Sequence, residues 1–309
     1  MIPLIKLRED LRFANELQDM IEVLKGATAS QFRSLQRRRK GFEDFKTRLE
    51  EFLTQIDARN TSHPFLAERS QLPKAILMIT SDEGFLGSLN ALVINAGLEQ
   101  ATSSDELIVM GERGARYLSE SQSGAFTVLP GIGDDITYSR AVALRDMLVS
   151  KFLSKKIGSV IVSYPVFLSL TAQRIEATRL LPCGNIFGQK KDVRRRETRH
   201  IEFLMEPSKG RVIDFMVRSY LMQKLYDMFW EAKLSECAAR IIHLEGSHEE
   251  ILSANKKLKY EYFKHLHEKS DKNIREIFAS RLRWRHTGAS VPEGPSGPAD
   301  APVGAGEKA

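Results

Sequence analysis

The sequence predicts two long terminal helices, laid antiparallel as a coiled coil, around a small central α/β domain. Three observations lead there. A helical apolar stripe occupies each end of the chain, with no proline from the start of the first helix to Pro64 and none from Arg211 to Arg285. In between, short continuous apolar runs bounded by turn residues alternate with helical segments. No apolar run reaches the roughly 18 residues that a membrane span needs.

The N-terminal helix spans residues 5–57. Leu7, Leu11, Ala14, Leu17, Ile21, Leu24 and Ala27 recur at steps of three and four, followed by Phe32 and Leu35 and then Phe42, Phe45, Leu49, Phe52 and Ile56. This is nearly a heptad seam. The C-terminal stripe runs through Val212, Phe215, Met216, Leu221, Leu225, Met228, Phe229, Ala232, Leu234, Ala238, Ile241 and Leu244, and on to Leu282. Some 70 helical residues at 1.5 Å each would reach roughly 100 Å, so this helix needs a partner along its length or a socket at its end. Burying the two seams against each other is the simplest answer.

The polar, proline-containing stretch 60–73 reads as a linker. Ala75–Ile79 is then a buried parallel strand leading into a turn and a helix to about Leu98; Leu107–Met110, Phe126–Leu129 and Ser159–Ser163 are further strands. Helices are expected from Gly111 to Leu118 and from Thr137 to Ser154, with strands at 172–181 and 200–205 around a basic loop. The order is that of a small Rossmann-like sheet. The resulting division is 1–58 N-terminal helix, 59–73 linker, 74–206 α/β domain, 207–286 C-terminal helix and 287–309 a Gly/Pro/Ala-rich disordered tail.

Composition narrows function by exclusion. Hydrophobic residues at 42% and charged residues at 28% are ordinary for a globular protein. Two cysteines, Cys183 and Cys237, make no disulfide framework, and a reducing, intracellular setting is expected. A formal charge of +6 suits an acidic partner. The basic runs Arg37–Lys40, Lys190–Lys191 and Arg194–Arg196 lack the interleaved aromatics of a single-strand platform, so no nucleic acid is expected. Gly84 and Gly87 after the first strand fit neither GxGxxG nor GxxxxGK[ST], and Asp82 and Glu83 would repel a phosphate; the glycines instead let the turn pack tightly on the sheet. His243/His248 and His265/His267 have no metal-ligand spacing. Glu236 and Arg240, four apart, read on spacing alone as a surface salt bridge. No catalytic residue, cofactor site or metal site is expected.

Three motifs carry a family resemblance. Ile79–Thr80–Ser81–Asp82–Glu83–Gly84–Phe85–Leu86–Gly87–Ser88–Leu89–Asn90 resembles the TSDRGLCGGLN turn of the gamma subunit of F-type ATP synthases. Leu234–Ser235–Glu236–Cys237–Ala238–Ala239–Arg240 resembles that family's LASEQAAR signature, and Ala29–Ser30–Gln31–Phe32–Arg33 its AASKMR segment. Gly111–Glu112–Arg113–Gly114 and Leu180–Leu181–Pro182 add softer support. Departures mark a divergent bacterial form, such as one from an alternative ion-translocating F-type ATPase. Glu83 stands for the usual arginine, Lys25–Gly26 for a Glu–Met pair, and Leu266, His267 and Asp271 for Arg, Gln and Thr. The end, with Arg281, Arg283, Trp284 and Arg285, is longer.

The resemblance implies a non-catalytic rotor shaft of a proton- or sodium-translocating complex, turning inside a ring of three alpha and three beta subunits. Its foot would rest on the epsilon subunit and the c-subunit ring, and it would meet the cytoplasmic face of a bacterial cell membrane only through the complex. Ser30, Arg33, Arg37, Glu236 and Arg240 match or neighbour positions expected to touch the alpha/beta ring; Asp82, Gly84, Gly87 and Asn90 are the turn motif. Two alternatives stand beside it. A non-motor coiled-coil scaffold would dispense with the small residues Ala27, Ala29, Ala238 and Ala239, which are present. A nucleotide-using α/β enzyme would bind nucleotide as an isolated chain.

Overall fold

The computed structural model describes residues 4–39, 48, 63–121, 124–183, 206 and 208–286. The expected seam residues 42–56, the basic residues at 190–196, the strand at 200–205 and the tail 287–309 lie outside the described residues. The chain divides into two compact units, one of residues 17–252 and one of residues 1–16 with 253–309.

The larger unit is built on a five-stranded sheet. Its strands are β1 (Lys74–Ile79), β2 (Glu106–Met110), β3 (Phe126–Leu129), β4 (Ser159–Phe167) and β5 (Gln173–Leu181), in the order β3-β2-β1-β4-β5. β1 pairs in parallel with β2 and β4, β2 in parallel with β3, and only β5 is antiparallel, against β4. The helices are α1 (Leu4–Arg39), α2 (Leu89–Leu98), α3 (Glu112–Ser121), α4 (Tyr138–Leu153) and α5 (Lys209–His286). β4 continues past the expected Ser163 because β5 supplies a ladder as far as Phe167.

Central β1 is buried on both faces, as a parallel strand between helical layers must be. Ala75, Leu77 and Ile79 join one core with Leu144, Leu148 and Phe152 of α4 and with Leu225, Met228 and Phe229 of α5. Ile76 and Met78 join a second core with Val93 and Ile94 of α2 and Leu118 of α3. The turn just after β1 lies close against α3: a Cβ on Gly114 would lie 2.1 Å from Thr80 Oγ1, so nothing larger than glycine fits there.

Both terminal stripes contribute buried residues, with two shifts of register. On α5 the residues buried first are Ile213 and Val217, whereas Phe215, expected in the stripe, is exposed. On α1, Leu7, Ile21, Phe32 and Leu35 are buried, but the inward position near the middle is Thr28 rather than Ala27. Thr28 can occupy it because its hydroxyl donates to Leu24 O at 2.9 Å. Within this unit Lys25 Nζ lies 2.5 Å from Glu245 Oε2, and Cys237 Sγ donates to Gln31 Oε1 at 3.6 Å. As α1 advances, its partners on α5 retreat. In the smaller unit Asn255 Nδ2 donates to Asn15 Oδ1 at 3.2 Å and Leu7 is buried, while Ile5, Phe13, Tyr260, Phe263, Ile274, Ile277, Phe278 and Leu282 are exposed.

Asp105 anchors the start of the sheet. Its carboxylate accepts the N–H of Lys74 at 2.7 Å, and the N–H and hydroxyl of Thr102, each at 2.8 Å. Burial alone would push its pKa up, but these donors outweigh it and hold the pKa below the ordinary 3.8. A depressed folded-state pKa stabilises the protein above the unfolded value, and that stability is lost as pH falls through the folded one. The expected outcome for Asp105→Asn is therefore a loss of stability near neutral pH that shrinks below about pH 4, measured as the gap between urea midpoints of the two proteins.

Candidate functional site

Along α5, residues 228–238 are buried on nearly every side, and they include Lys233, Ser235 and Glu236 among apolar neighbours. Buried charges must be paired, and these are. Glu236 Oε1 accepts from Lys233 Nζ at 3.1 Å and from Arg240 Nη2 at 2.7 Å. The side chains of Lys233, Glu236 and Arg240 are only 4%, 8% and 8% exposed. This corrects the surface salt bridge that spacing alone suggests: the pair is interior, and Lys233 makes it a trio.

Two cations around one carboxylate leave a positive remainder, which two loops at the carboxyl ends of the parallel strands offset. From the turn after β1, Glu83 Oε2 lies 2.8 Å from Arg240 Nη2, and Gly84 O accepts from Arg240 Nε at 3.3 Å. From the loop after β3, Asp134 Oδ1 lies 3.8 Å from Lys233 Nζ and accepts from Gln31 Nε2 of α1 at 3.1 Å. A cleft of about 60 Å³ separates the loops, lined by Ser81, Asp82, Glu83, Ile132, Gly133, Asp134, Lys233 and Glu236. It has room for a few waters, and four of its eight lining residues are carboxylates.

The turn motif is held from within. Asp82 Oδ1 accepts the N–H of Glu112, setting a negative charge at the N-terminus of α3, where the helix dipole favours it. Gly131 makes room for that carboxylate, since a Cβ there would lie 2.2 Å from Asp82 Oδ2. Asn90 accepts the N–H of Ser81 and donates to its hydroxyl, which donates in turn to Glu83 O at 2.7 Å. Tight packing is not what the turn asks of Gly87. A Cβ there would meet open space, and its φ of +56° is the requirement. Phe85 also has positive φ, at 62°, with its exposed ring near His243.

The remaining expected positions divide cleanly. Ser30, Arg33 and Arg37 are exposed and share a face of α1 at spacings of three and four; Glu236 and Arg240 point into the protein. Cys183 and Cys237 are buried, and burial pushes both thiols up to about 12, so neither is a nucleophile at neutral pH. Sequence reasoning missed Lys233, Gln31 and Asp134. A lysine flanked directly by Ala232 and Leu234 on the apolar stripe was the one available signal.

The sequence model of the ATP synthase family matches residues 4–280. The chain belongs to the ATP synthase gamma family. Similar relatives include the ATP synthase gamma chain of Desulfitobacterium hafniense, 23% identical over 76% of this chain and 82% of that one. That of Chlorobaculum tepidum is 24% identical over 90% of this chain and 98% of its own length. Among solved structures, the fold is similar to a chain of the Euglena gracilis mitochondrial ATP synthase OSCP/F1/c-ring assembly in rotational state 3. There the TM-score is 0.66 at 15% identity, covering 94% of this chain and 98% of that one. A chain of the same enzyme's rotor in rotational state 1 gives 0.63 at 17% identity, covering 86% and 98%. A gamma chain is a non-catalytic stalk subunit of ATP synthase. Among its described residues no helix is long and apolar enough to cross a membrane.

Removing Glu236 from this gamma chain would leave two buried cations without their shared carboxylate. Glu236→Ala is expected to destabilise the larger unit by about 3–5 kcal/mol, read from urea unfolding followed by circular dichroism.

Proposed function

We propose that this gamma chain is the rotating shaft of a bacterial F-type ATP synthase, coupling ion flow through a c-subunit ring to ATP synthesis or hydrolysis on beta subunits. The observation that carries the proposal is the far end of α5. Ile274, Ile277, Phe278 and Leu282 lie bare on a 78-residue helix, with Phe278 63% exposed. Exposed apolar residues at helical spacing call for a surrounding surface, and a ring of alpha and beta subunits supplies one. The Lys25–Glu245, Gln31–Cys237 and Asn15–Asn255 contacts support an antiparallel coiled coil of α1 with α5.

In this reading residues 1–58 and 207–286 form the shaft, 59–73 the linker, 74–206 the body that meets the epsilon subunit and c ring, and 287–309 a tail. Each angle of an off-centre shaft favours a different state of each beta subunit, so rotation drives the catalytic sites through their states in turn by differential contact. Ser30, Arg33 and Arg37 are the outward contact for an acidic segment of the ring. Glu236 and Arg240 serve the same contact from inside, by fixing the turn that bears Glu83 and Phe85. The complex sits on the cytoplasmic face of the membrane, and the chain meets no nucleic acid.

Co-expression with the alpha and beta subunits of the same organism tests the proposal. The expected product is a complex with one copy of this chain, whose ATP hydrolysis drives ion movement only when the chain is present. Rings that assemble and couple equally well without it would sink the reading and favour a scaffold. In the complex, Arg33→Glu with Arg37→Glu is expected to lower ATP-driven ion transport severalfold, about 1 kcal/mol or more of lost charge complementarity, with the chain still folded.

A further inference from the structure

Lys233 belongs to none of the contacts assigned above to the ring, yet it closes a circuit through three elements. Its ammonium stands on α5 between Glu236 Oε1 and Asp134 Oδ1. Asp134, on the loop after β3, accepts from Gln31 of α1 at 3.1 Å. Gln31 then accepts from Cys237, one turn beyond Lys233 on α5. We infer that Lys233 is a positioning residue for torque transfer: it keys α5 to the carboxyl edge of the sheet and, through Asp134 and Gln31, to α1, so that the α/β body and these helix segments turn together. The inference rests on the rotor reading.

Stability gives no reason for an ammonium here. A buried cation bears a desolvation cost that an apolar side chain of similar volume avoids, and without Lys233 the Glu236 carboxylate still has Arg240 at 2.7 Å. What charge adds at this place is register. An apolar side chain on α5 packs against any apolar neighbour, whereas the Lys233 ammonium is held between Glu236 Oε1 at 3.1 Å and Asp134 Oδ1 at 3.8 Å. A joint under load must resist sliding between alternative packings, and this circuit penalises the slip.

The test uses the complete complex in sealed vesicles, with ATP hydrolysis and ion uptake measured together. Lys233→Met keeps volume and leaves the Glu236–Arg240 pair intact. It is expected to assemble with an unchanged urea midpoint, while ions moved per ATP fall about threefold or more. Lys233→Arg, which keeps charge and reach, is expected to restore most of the ratio. A Lys233→Met complex with the wild-type ratio overturns the inference. Should that variant fail to assemble, Asp134→Asn carries the test, because its side chain is 75% exposed; there too the ratio must fall, and an unchanged ratio overturns the inference. Failure of the rotor reading would look different: with the wild-type chain, hydrolysis and ion movement would not depend on its presence at all.

Discussion

Glu236 sits between Lys233 and Arg240 inside an apolar core, and the arrangement of the surrounding loops follows from neutralising those three charges. A carboxylate holding two cations in low dielectric is well paired, but the trio remains positive. Glu83 and Asp134 supply the missing negative charge from two different strand ends. Each loop is therefore placed by α5 as much as by its own strand. Asp82 and Asn90 then stiffen the first loop through the N-terminus of α3 and the hydroxyl of Ser81. Sheet, turn and long helix are thus joined electrostatically, across some 150 residues of sequence between the turn motif and the helix signature.

This arrangement also occupies the place where a sheet of this order takes a ligand. In open α/β sheets, ligands bind in the crevice beyond the carboxyl ends of the strands, where the strand order reverses. Here the reversal lies at β1, between β2 and β4. The turn that follows β1 is gripped by Arg240 of the chain's own C-terminal helix. Where another fold of this order would offer backbone donors to a phosphate, Gly84 O already accepts from a guanidinium, and carboxylates line what space is left. The crevice is taken up by the chain's own C-terminal helix.

The strands and most helices were legible because continuous apolar runs and three-to-four spacing report burial directly. Ala75–Ile79 is the clearest case, buried on both faces as its composition demands. Register was less legible where several residues compete for one face. Phe215 outranks Ile213 and Val217 in size, yet the smaller pair faces the core, since which stripe turns inward depends on the body against which α5 packs. At the site, spacing gave the Glu236–Arg240 pair but not its burial or its third member. Gln31 meets Asp134 from 103 residues away and Cys237 from 206, and no local pattern encodes contacts of that range.

Burial changes along α5 in a way that argues for its role. Between Met228 and Ala238 the helix is enclosed by its own chain, and its charges are satisfied there. From Tyr260 to Leu282 large apolar side chains stand open, and among the described residues the polar ones between them, such as Lys272 and Glu276, make only local ion pairs. Helical propensity and such pairs contribute a few tenths of a kcal/mol each, too little to specify so long an isolated segment. Within α5, then, the charges are settled in the larger unit, and the large apolar side chains stand open in the smaller one.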